Sequence, residues 1–360
     1  MTIDFGLLFG KKNPPLIGLD ISTSGVKLVE LSEAGKGEYR LERFASEPLP
    51  RGAVVDGNIE NIEQVSDAVR RVWKKSGTRA KHVALGMPPA SVITKKIVLP
   101  GGLSEDQLEV QVESEANQYI PFALDEVSLD FDVIGPAQNA PEDVDVLIAA
   151  TRKEKVEDRV AVAESAGLKP LVMDIESYAA RSVIDRITAQ LPNAGKGQIV
   201  ALFQIGAQVT HVSVLQDGQT LYEREQPFGG NQLTQDIVRA YSLPFEDAEA
   251  KKKAADLPED YERELLQPFL ENAALEVTRA IQFFFTSTPY THIDQIFLAG
   301  GCAIMQGLVE LVAERTKISA SVVSPFKGMQ LASGVREKQL RAEATAYLVA
   351  CGLAMRRFDE

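Results

Sequence analysis

Apolar residues recur along the chain with two periods, that of a strand and that of a helix. Residues 16–31, LIGLDISTSGVKLVEL, have the pattern of an apolar strand, a tight turn of small and hydroxyl residues, and a second β-rich strand. Residues 61–75 instead place apolar side chains at helical spacing from Ile62 to Val72. Residues 82–89, HVALGMPP, have the pattern of a buried strand closed by two prolines. This alternation predicts an α/β fold.

The same two periods extend to the rest of the chain. Further strands are predicted within 39–50, 92–100, 126–134, 144–152, 168–175 and 295–301, and further helices at 104–119, 153–166, 175–190, 231–241, 245–254, 266–287, from 306, and at 338–357. The last of these helices is rich in alanine and glycine. Because small residues at helical spacing allow close approach of backbones, we expect it to pack between the two halves of the chain.

Residues 199–218, IVALFQIGAQVTHVSVLQDG, repeat the opening hairpin pattern. Aligning the two segments places Asp20 on Gln204 and Ser22 on Gly206. A chain of 360 residues exceeds one ordinary hydrophobic core. We therefore predict two duplicated lobes with an insertion.

Composition shifts and turn residues suggest where these parts begin and end. The segment PNAGKG at 192–197 is the predicted linker. The predicted parts are a first-lobe core at 14–90, an inserted subdomain at 91–173, a return to the first lobe at 174–192, a second lobe at 197–337 with an accessory subdomain at 230–290, and a C-terminal helix crossing back at 338–360.

The predicted insertion has ββα-type patterning. Ser104 and Gln107 form a capping box that opens a helix, and Pro121 ends it. The side chains that this helix is expected to bury are Leu108, Val112, Ala116 and Tyr119. Two alternating segments then flank the acidic, proline-containing stretch 135–143, which predicts a hairpin with a long tip.

Turns of Ser, Thr and Gly present backbone N–H groups and hydroxyls toward one point, which suits a phosphate. Two such turns facing each other can clamp a polyphosphate, and Asp20 at the mouth of the first is placed to hold Mg²⁺, through water. The segment IFLAGGCAIMQGL adds Gly300–Gly301 between a buried strand and a helix. Residues 228–237, FGGNQLTQDI, offer a second Gly–Gly turn. In residues 246–253, EDAEAKKK, Glu249 and Lys252 either bracket a ribose or belong to a solvated charge run.

The order of these motifs resembles the actin-like ATPase superfamily. With the segment ESAGLKPLVMDIESYAARSV at 164–183, the chain more closely resembles the FtsA-like PilM family of type IV pilus assembly, over residues 14–357. The resemblance implies that ATP and Mg²⁺ bind between two lobes. The implied nucleotide-binding residues are Asp20, Ser22, Thr23, Ser24 and Lys27 on one side, Gly206, Ala207, Gln208 and Thr210 on the other, and Gly229, Gly230, Glu249, Lys252, Gly300, Gly301 and Cys302 around sugar and base.

Active members of the superfamily usually carry an acidic residue where this chain has Gln204. A neutral amide cannot share the charge of a metal or act as a base, although it can hydrogen-bond a water. We therefore expect ATP to be bound and hydrolysed slowly or not at all. Ser22 also stands where the family often has glycine. The backbone of the first turn is therefore expected to approach phosphates less closely than in those family members.

Charge and residue usage exclude several functions. A formal charge of -13 opposes a nucleic-acid partner. Cys302 and Cys351 have no metal-like spacing, and the three histidines are scattered, so no zinc site is expected. No window is apolar over the length that a membrane span requires, so a cytoplasmic protein is expected.

Two further segments leave alternatives open. The resemblance implies a partner, the short cytoplasmic N-terminal tail of the inner-membrane protein PilN, in a groove of the insertion near Tyr119, Ile120, Pro121 and Phe122. Apolar residues at a helix end are, however, more often part of a core than of a groove. At the N-terminus, FGLLFGKK at 5–12 is compatible with an anionic membrane surface or with a frayed tail.

Other functions on the same fold are a sugar or acetate kinase and an ATP-dependent filament-forming protein. A kinase requires a carboxylate base near the γ-phosphate, and none is assignable in the second hairpin. Filament contacts are surface features that the sequence pattern does not show. We therefore favour an ATP-binding assembly scaffold.

Overall fold

The computed structural model describes residues 14–35, 37–137 and 140–359. The strands are β1 Leu16–Ser22, β2 Gly25–Gly35, β3 Glu38–Pro48, β4 Val54–Val55, β5 Asn58–Ile59, β6 His82–Met87, β7 Ile93–Pro100, β8 Val127–Ala137, β9 Ala140–Arg152, β10 Lys169–Ile175, β11 Ile199–Ile205, β12 Thr210–Gln216, β13 Gln219–Gln226, β14 Gln295–Ala299, β15 Ala320–Val322 and β16 Gln330–Leu331. The helices are α1 Ile62–Ser76, α2 Glu105–Tyr119, α3 Lys153–Ser165, α4 Glu176–Thr188, α5 Asn231–Tyr241, α6 Phe245–Ala254, α7 Gln267–Ser287, α8 Leu308–Thr316, α9 Glu337–Glu343 and α10 Leu348–Met355.

Two sheets with the same strand plan form the framework. One has the order β10-β6-β1-β2-β3-β16 and the other the order β13-β12-β11-β14-β15. In each sheet, three consecutive strands form an antiparallel meander. The first strand of each meander also pairs with a parallel strand, β1 with β6 and β11 with β14. The repeated hairpin predicted from the sequence is therefore confirmed, with β1–β2 and β11–β12 as its two copies.

One core joins the two sheets. It contains side chains of β2 and β3, of β11, β12 and β14, and of α4 and α10. α10 lies between β1 and α4, where a Cβ on Gly352 would lie 1.9 Å from Ala179 O and a Cβ on Gly18 would lie 1.9 Å from Ala350 O. Glycine permits this contact because it brings no side chain to the crossing.

The segment after β6 forms a separate three-stranded sheet, β7-β9-β8, covered by α2. The Ser104–Gln107 capping box is confirmed, with both reciprocal hydrogen bonds present. β10, which the predicted boundary at residue 173 assigned to the insertion, pairs with β6 of the first sheet. The division of the chain into domains stays a prediction.

Three sequence predictions differ from the structure. Tyr119, expected to be buried, is 45% exposed, because the face of α2 that packs on the sheet continues from Val112 and Ala116 to Ile120 instead. The long hairpin tip is wrong, since β8 and β9 stay paired as far as Ala137 and Ala140. The final helix is interrupted at Ala344–Tyr347 because Thr345 exchanges hydrogen bonds with Gly300 instead of continuing the helix.

The N-terminal stretch FGLLFGKK lies outside the described residues.

Candidate functional site

The first side of the site is the end of β1. Asp20 is buried there, and strand pairing places it opposite Lys27. Lys27 Nζ lies 3.0 Å from Asp20 Oδ2 and donates to Ser22 Oγ at 2.9 Å. Ser22 Oγ donates to the carbonyl of Gly25, closing the Thr23–Ser24 turn at 2.9 Å. The predicted residues of the first hairpin thus gather around one lysine.

The turn of the second hairpin is bound to the start of α5. The N–H of Gly230 donates to the carbonyl of Gly206 at 3.0 Å, and the N–H of Asn231 donates to that of Ala207 at 2.8 Å. A Cβ on Gly229 would lie 2.6 Å from Ala207 O, so a side chain would push the two turns apart. The predicted phosphate loop and the predicted Gly–Gly turn therefore form one unit.

Gly300 brings the end of β14 onto this unit. Its φ is +88°, and a Cβ there would lie 2.3 Å from Ile205 O, so the position requires glycine. Cys302 is buried with its Sγ 3.7 Å from Gly206 O. Burial raises the pKa of the Cys302 thiol to about 11, which makes it a packing group and not a nucleophile. At Gly301, by contrast, no atom lies within 4 Å of the Cβ position.

Two predicted residues of the second hairpin have different surroundings. The Thr210 side chain is buried, and its Oγ1 donates to the carbonyl of Phe228 at 2.8 Å, which braces the turn from below. Gln208 is exposed at the tip of the turn. Thr210 is thus a support of the turn, whereas Gln208 is available to a ligand.

Glu249 and Lys252 of α6 reach back to the Gly–Gly turn. Lys252 Nζ lies 2.6 Å from Glu249 Oε2 and donates to Thr234 Oγ1 at 2.6 Å and to the carbonyl of Gly230 at 3.3 Å. Burial raises the pKa of Glu249, but the charge and hydrogen bonds of Lys252 and Thr234 outweigh burial and lower that pKa to about 2. The pair is therefore built into the fold, not a solvated charge run.

Replacing Lys252 by methionine is expected to destabilise the protein by about 1–2 kcal/mol at pH 7, because Glu249 keeps its charge without its partner. The depressed pKa makes the contribution of the ion pair largest above about pH 4.5, and it is lost as the pH falls toward about 2. The difference in the free energy of urea unfolding between the wild type and Lys252→Met should therefore become smaller as the pH is lowered.

Lys253→Met is the matched control. Lys253 Nζ lies 3.1 Å from Glu249 Oε1, but its side chain is 64% exposed, so its loss should cost below about 0.5 kcal/mol. Equal losses in the two variants would contradict the assignment of Lys252 as the buried partner.

Gln204 belongs to a row of polar residues across the second sheet. Strand register pairs Gln204 with His211 and His211 with Glu225. His211 Nε2 lies 3.7 Å from Glu225 Oε1. The amide thus stands in one cross-strand row with an imidazole and a carboxylate. Sequence patterns did not indicate this row, because its register depends on two loops of different length.

The end of β10 adds a charged residue that the sequence patterns also did not indicate. Glu176 opens α4 directly after β10, and its Cγ would lie 2.7 Å from a Cβ on Gly86 at the end of β6. Burial raises the pKa of Glu176 to about 7; Arg159 lowers it, while Asp20 and Glu225 raise it. Because Glu225 belongs to the second sheet, charges of both sheets act on Glu176.

The arrangement is a cleft between two sheets at the carboxyl ends of β1, β6 and β10, where ligands of such sheets bind. Among the described residues, no group of three or more His, Cys, Asp or Glu side chains is placed to hold a metal ion. Asp20 Oδ2 is occupied by Lys27, and no protein donor of the described chain reaches Oδ1. One carboxylate oxygen therefore remains for a metal-bound water.

The predicted partner groove is only partly a surface. Ile120 is buried in the core of the inserted sheet, as the core alternative for these residues expects. Tyr119 and Phe122 are 45% and 39% exposed and carry Lys95 and Arg152 over their rings. An aromatic surface rimmed by two cations remains, which we call the Tyr119–Phe122 patch.

The family model described as type IV pilus assembly protein PilM matches residues 18–358. The chain belongs to this family. Among solved structures, the PilM-PilN type IV pilus biogenesis complex contains a chain that is 26% identical, with a TM-score of 0.79, covering 97% of this chain and 100% of its own. The family predicted from the order of the motifs is confirmed.

More distant relatives of this PilM family member have the same fold. The cell division protein FtsA of Bacillus subtilis (strain 168) is 23% identical over 355 residues, covering 87% of this chain and 79% of FtsA. MreB 5 of Spiroplasma citri, solved bound to AMPPNP, is 15% identical with a TM-score of 0.50 over 94% of each chain. The predicted actin-like ATPase fold is thereby confirmed. Within the part of the chain that the structure describes, no helix is long and apolar enough to span a bilayer.

Proposed function

We propose that this protein is a cytoplasmic ATP-binding scaffold of the type IV pilus inner-membrane assembly complex that docks the cytoplasmic N-terminal tail of PilN. The observation that carries the proposal is the cleft, built from two copies of one hairpin with Asp20 in the first and Gln204 in the second, in a member of the PilM family. The protein reaches the inner membrane through its partners.

ATP binding is supported by the geometry of the two turns. The Thr23–Ser24 turn and the Gly206–Val209 turn end equivalent strands and face one cleft. Gly229, Gly230 and Gly300 let the two turns and the end of β14 pack directly against one another, and the Cβ position of Gly301 beside them is open. MreB 5 of Spiroplasma citri, of the same fold, is solved with AMPPNP.

Magnesium would be held by Asp20 through water, since Mg²⁺ keeps several waters and needs few protein carboxylates. When bound, it would neutralise phosphate charge. Lys27, 3.0 Å from the same carboxylate, orients Asp20 through a salt bridge without any metal.

Weak or absent hydrolysis follows from Gln204. Its amide orients a water by hydrogen bonding but accepts no proton from it. Glu176 and the His211–Glu225 pair supply titratable groups in the cleft, so any residual turnover is expected to depend on them.

PilN docking is supported by the 26% identity, over 97% of this chain, to the protein of the PilM-PilN complex. We place the tail at the Tyr119–Phe122 patch, next to the exposed Pro121. A short segment that becomes ordered on binding gains only modest affinity, and tethering to the membrane makes that affinity effective.

The deciding experiment compares the wild type with Asp20→Ala and Gln204→Asp for ATP binding and phosphate release. We expect the wild type to retain Mg·ATP with turnover below about 0.01 per second, far under the usual range of enzymes. Asp20→Ala should weaken binding at least about tenfold, the loss of about 1.4 kcal/mol. Brisk wild-type turnover would contradict the scaffold and direct the search to a kinase acceptor or a filament cycle.

A further inference from the structure

The amino end of the first sheet carries exposed lysines. Lys81 directly precedes β6 and Lys169 opens β10, and the N–H of Lys169 donates to the carbonyl of Lys81 at 2.8 Å. Lys74 lies in the last turn of α1. All three residues are exposed, and none forms a salt bridge with a carboxylate of the described residues. This positive charge is local, because the chain as a whole has a formal net charge of -13.

Apolar side chains lie among these lysines. Lys81 Nζ lies 3.6 Å from the centroid of the Trp73 ring, and Trp73 Nε1 donates to the carbonyl of Ala80 at 3.0 Å, which ties α1 to the start of β6. Leu171, two residues after Lys169, is 56% exposed at the point where the register of β10 shifts. Lysines beside an indole and an exposed leucine suit a membrane–water interface, where apolar stems are buried and charged or polar ends stay wet.

The stretches that form this face contain no acidic residue. Residues 70–83 and 165–173 have several Lys and Arg but no Asp or Glu. Glu164, just before the second stretch, is exposed. The other cations of these stretches, Arg70, Arg71, Lys75 and Arg79, lie near carboxylates of α1, β2 and β3. The uncompensated charge therefore lies with Lys74, Lys81 and Lys169, which we call the basic face.

The length of the chain keeps the N-terminal residues near the basic face. Leu16 pairs with His82, the residue after Lys81. The sequence pair Lys11–Lys12 precedes Leu16 by five and four residues, so it lies within about 18 Å of Leu16 even at full extension. The apolar run FGLLF at 5–9 comes directly before this pair. An apolar run and a basic patch are together the two signals that stable membrane attachment requires.

We propose that the amino end of the first sheet binds an anionic lipid bilayer directly, with the basic face against the headgroups and residues 5–12 at the interface. The apolar run favours a bilayer over a nucleic acid, which offers no apolar interior. This contact needs neither nucleotide nor PilN, and so goes beyond attachment through partners. The candidate cleft, at the opposite ends of the same strands, then faces away from the membrane.

The test measures partition of the full chain onto lipid vesicles, without nucleotide or PilN. The wild type should bind vesicles of equal parts phosphatidylglycerol and phosphatidylcholine at least about tenfold more tightly than phosphatidylcholine alone, since each lysine near an anionic surface contributes about fivefold. The double variant Lys81→Gln, Lys169→Gln should lose at least about tenfold on the anionic vesicles. Phe5→Ser with Leu8→Ser should lose at least about tenfold as well, because the apolar signal is removed.

Lys317→Gln with Lys338→Gln is the matched control. Both lysines are exposed in the second half of the chain, and their loss changes the net charge equally. This control should retain wild-type binding. Trp73, the only tryptophan of the sequence, reports the orientation of the bound protein. A nitroxide on the lipid headgroup should quench its fluorescence when the protein is bound to vesicles.

Each other outcome contradicts the proposal. Wild-type protein that does not bind the anionic vesicles, or that binds both kinds of vesicle equally, overturns direct attachment to anionic lipid. A Lys81–Lys169 variant that binds like the wild type, a control that loses as much, or unquenched Trp73 in the bound protein overturns the basic face as the contact surface. The cleft and PilN docking are tested separately, so these outcomes leave the proposed function unaffected.

Discussion

Replacing Gly352 by valine is expected to destabilise the protein by roughly 3 kcal/mol or more, at or beyond the upper end of the usual cost of overpacking. A Cβ at this position would already lie 1.9 Å from Ala179 O and 2.4 Å from its carbonyl carbon. Both atoms belong to the backbone of α4, so no rotamer change relieves the clash. α10 must move away from α4, and the core shared by both sheets opens with it.

Thermal unfolding followed by circular dichroism measures this loss. Ala342→Val, on the exposed side of α9, places the same side chain in the same C-terminal region without burial. It should change stability by less than about 1 kcal/mol. A Gly352→Val protein as stable as this control would contradict the close approach of α10 and α4.

Replacing Glu176 by glutamine is expected to stabilise the protein above neutral pH. Burial raises the pKa of Glu176 to about 7 from an ordinary value of 4.5. The native protein therefore holds a proton that the unfolded chain releases between these pH values, and stability falls as the pH rises through this window. Glutamine has the same shape and no proton to lose, so it avoids this loss.

The free energy of unfolding of Glu176→Gln, relative to that of the wild type, should increase by about 2 kcal/mol between pH 5 and pH 8, since one pKa unit corresponds to about 1.4 kcal/mol. Urea unfolding of both proteins at the two pH values measures it. Glu113→Gln, on the exposed side of α2, should show the same difference from the wild type at both pH values. Parallel pH dependence of wild type and Glu176→Gln would contradict the raised pKa of this carboxyl group.

Local patterns were enough to predict much of this structure. The Ser104–Gln107 box, the helical spacing of α1 and the paired hairpins depend on residues close in the chain, and each is confirmed. The family resemblance likewise indicated Asp20 and the two Gly–Gly turns. Where helical spacing predicted burial of Tyr119 it was wrong, because Tyr119 and Ile120 both continue the spacing of the buried residues and the fold buries Ile120.

The rest of the candidate site depends on contacts between distant segments. His211 and Glu225 reach Gln204 only through the register of three strands, which includes an irregularity between Val214 and Leu215. The charge of Arg159, on a helix that follows β9, acts on Asp20 at the end of β1. Periodicity within one segment carries no information on contacts between distant segments, so these residues could be identified only from the folded structure.

The position of α10 also determines when the protein can fold during synthesis. β1 is among the first segments to leave the ribosome, yet the face of β1 around Gly18 is completed by α10. Until residues 348–355 emerge, the first sheet exposes apolar surface that only a chaperone or a nonspecific contact can cover. Folding of the first sheet is therefore completed only after α10 has been translated, and a ribosome stalled before residue 348 presents an aggregation-prone intermediate.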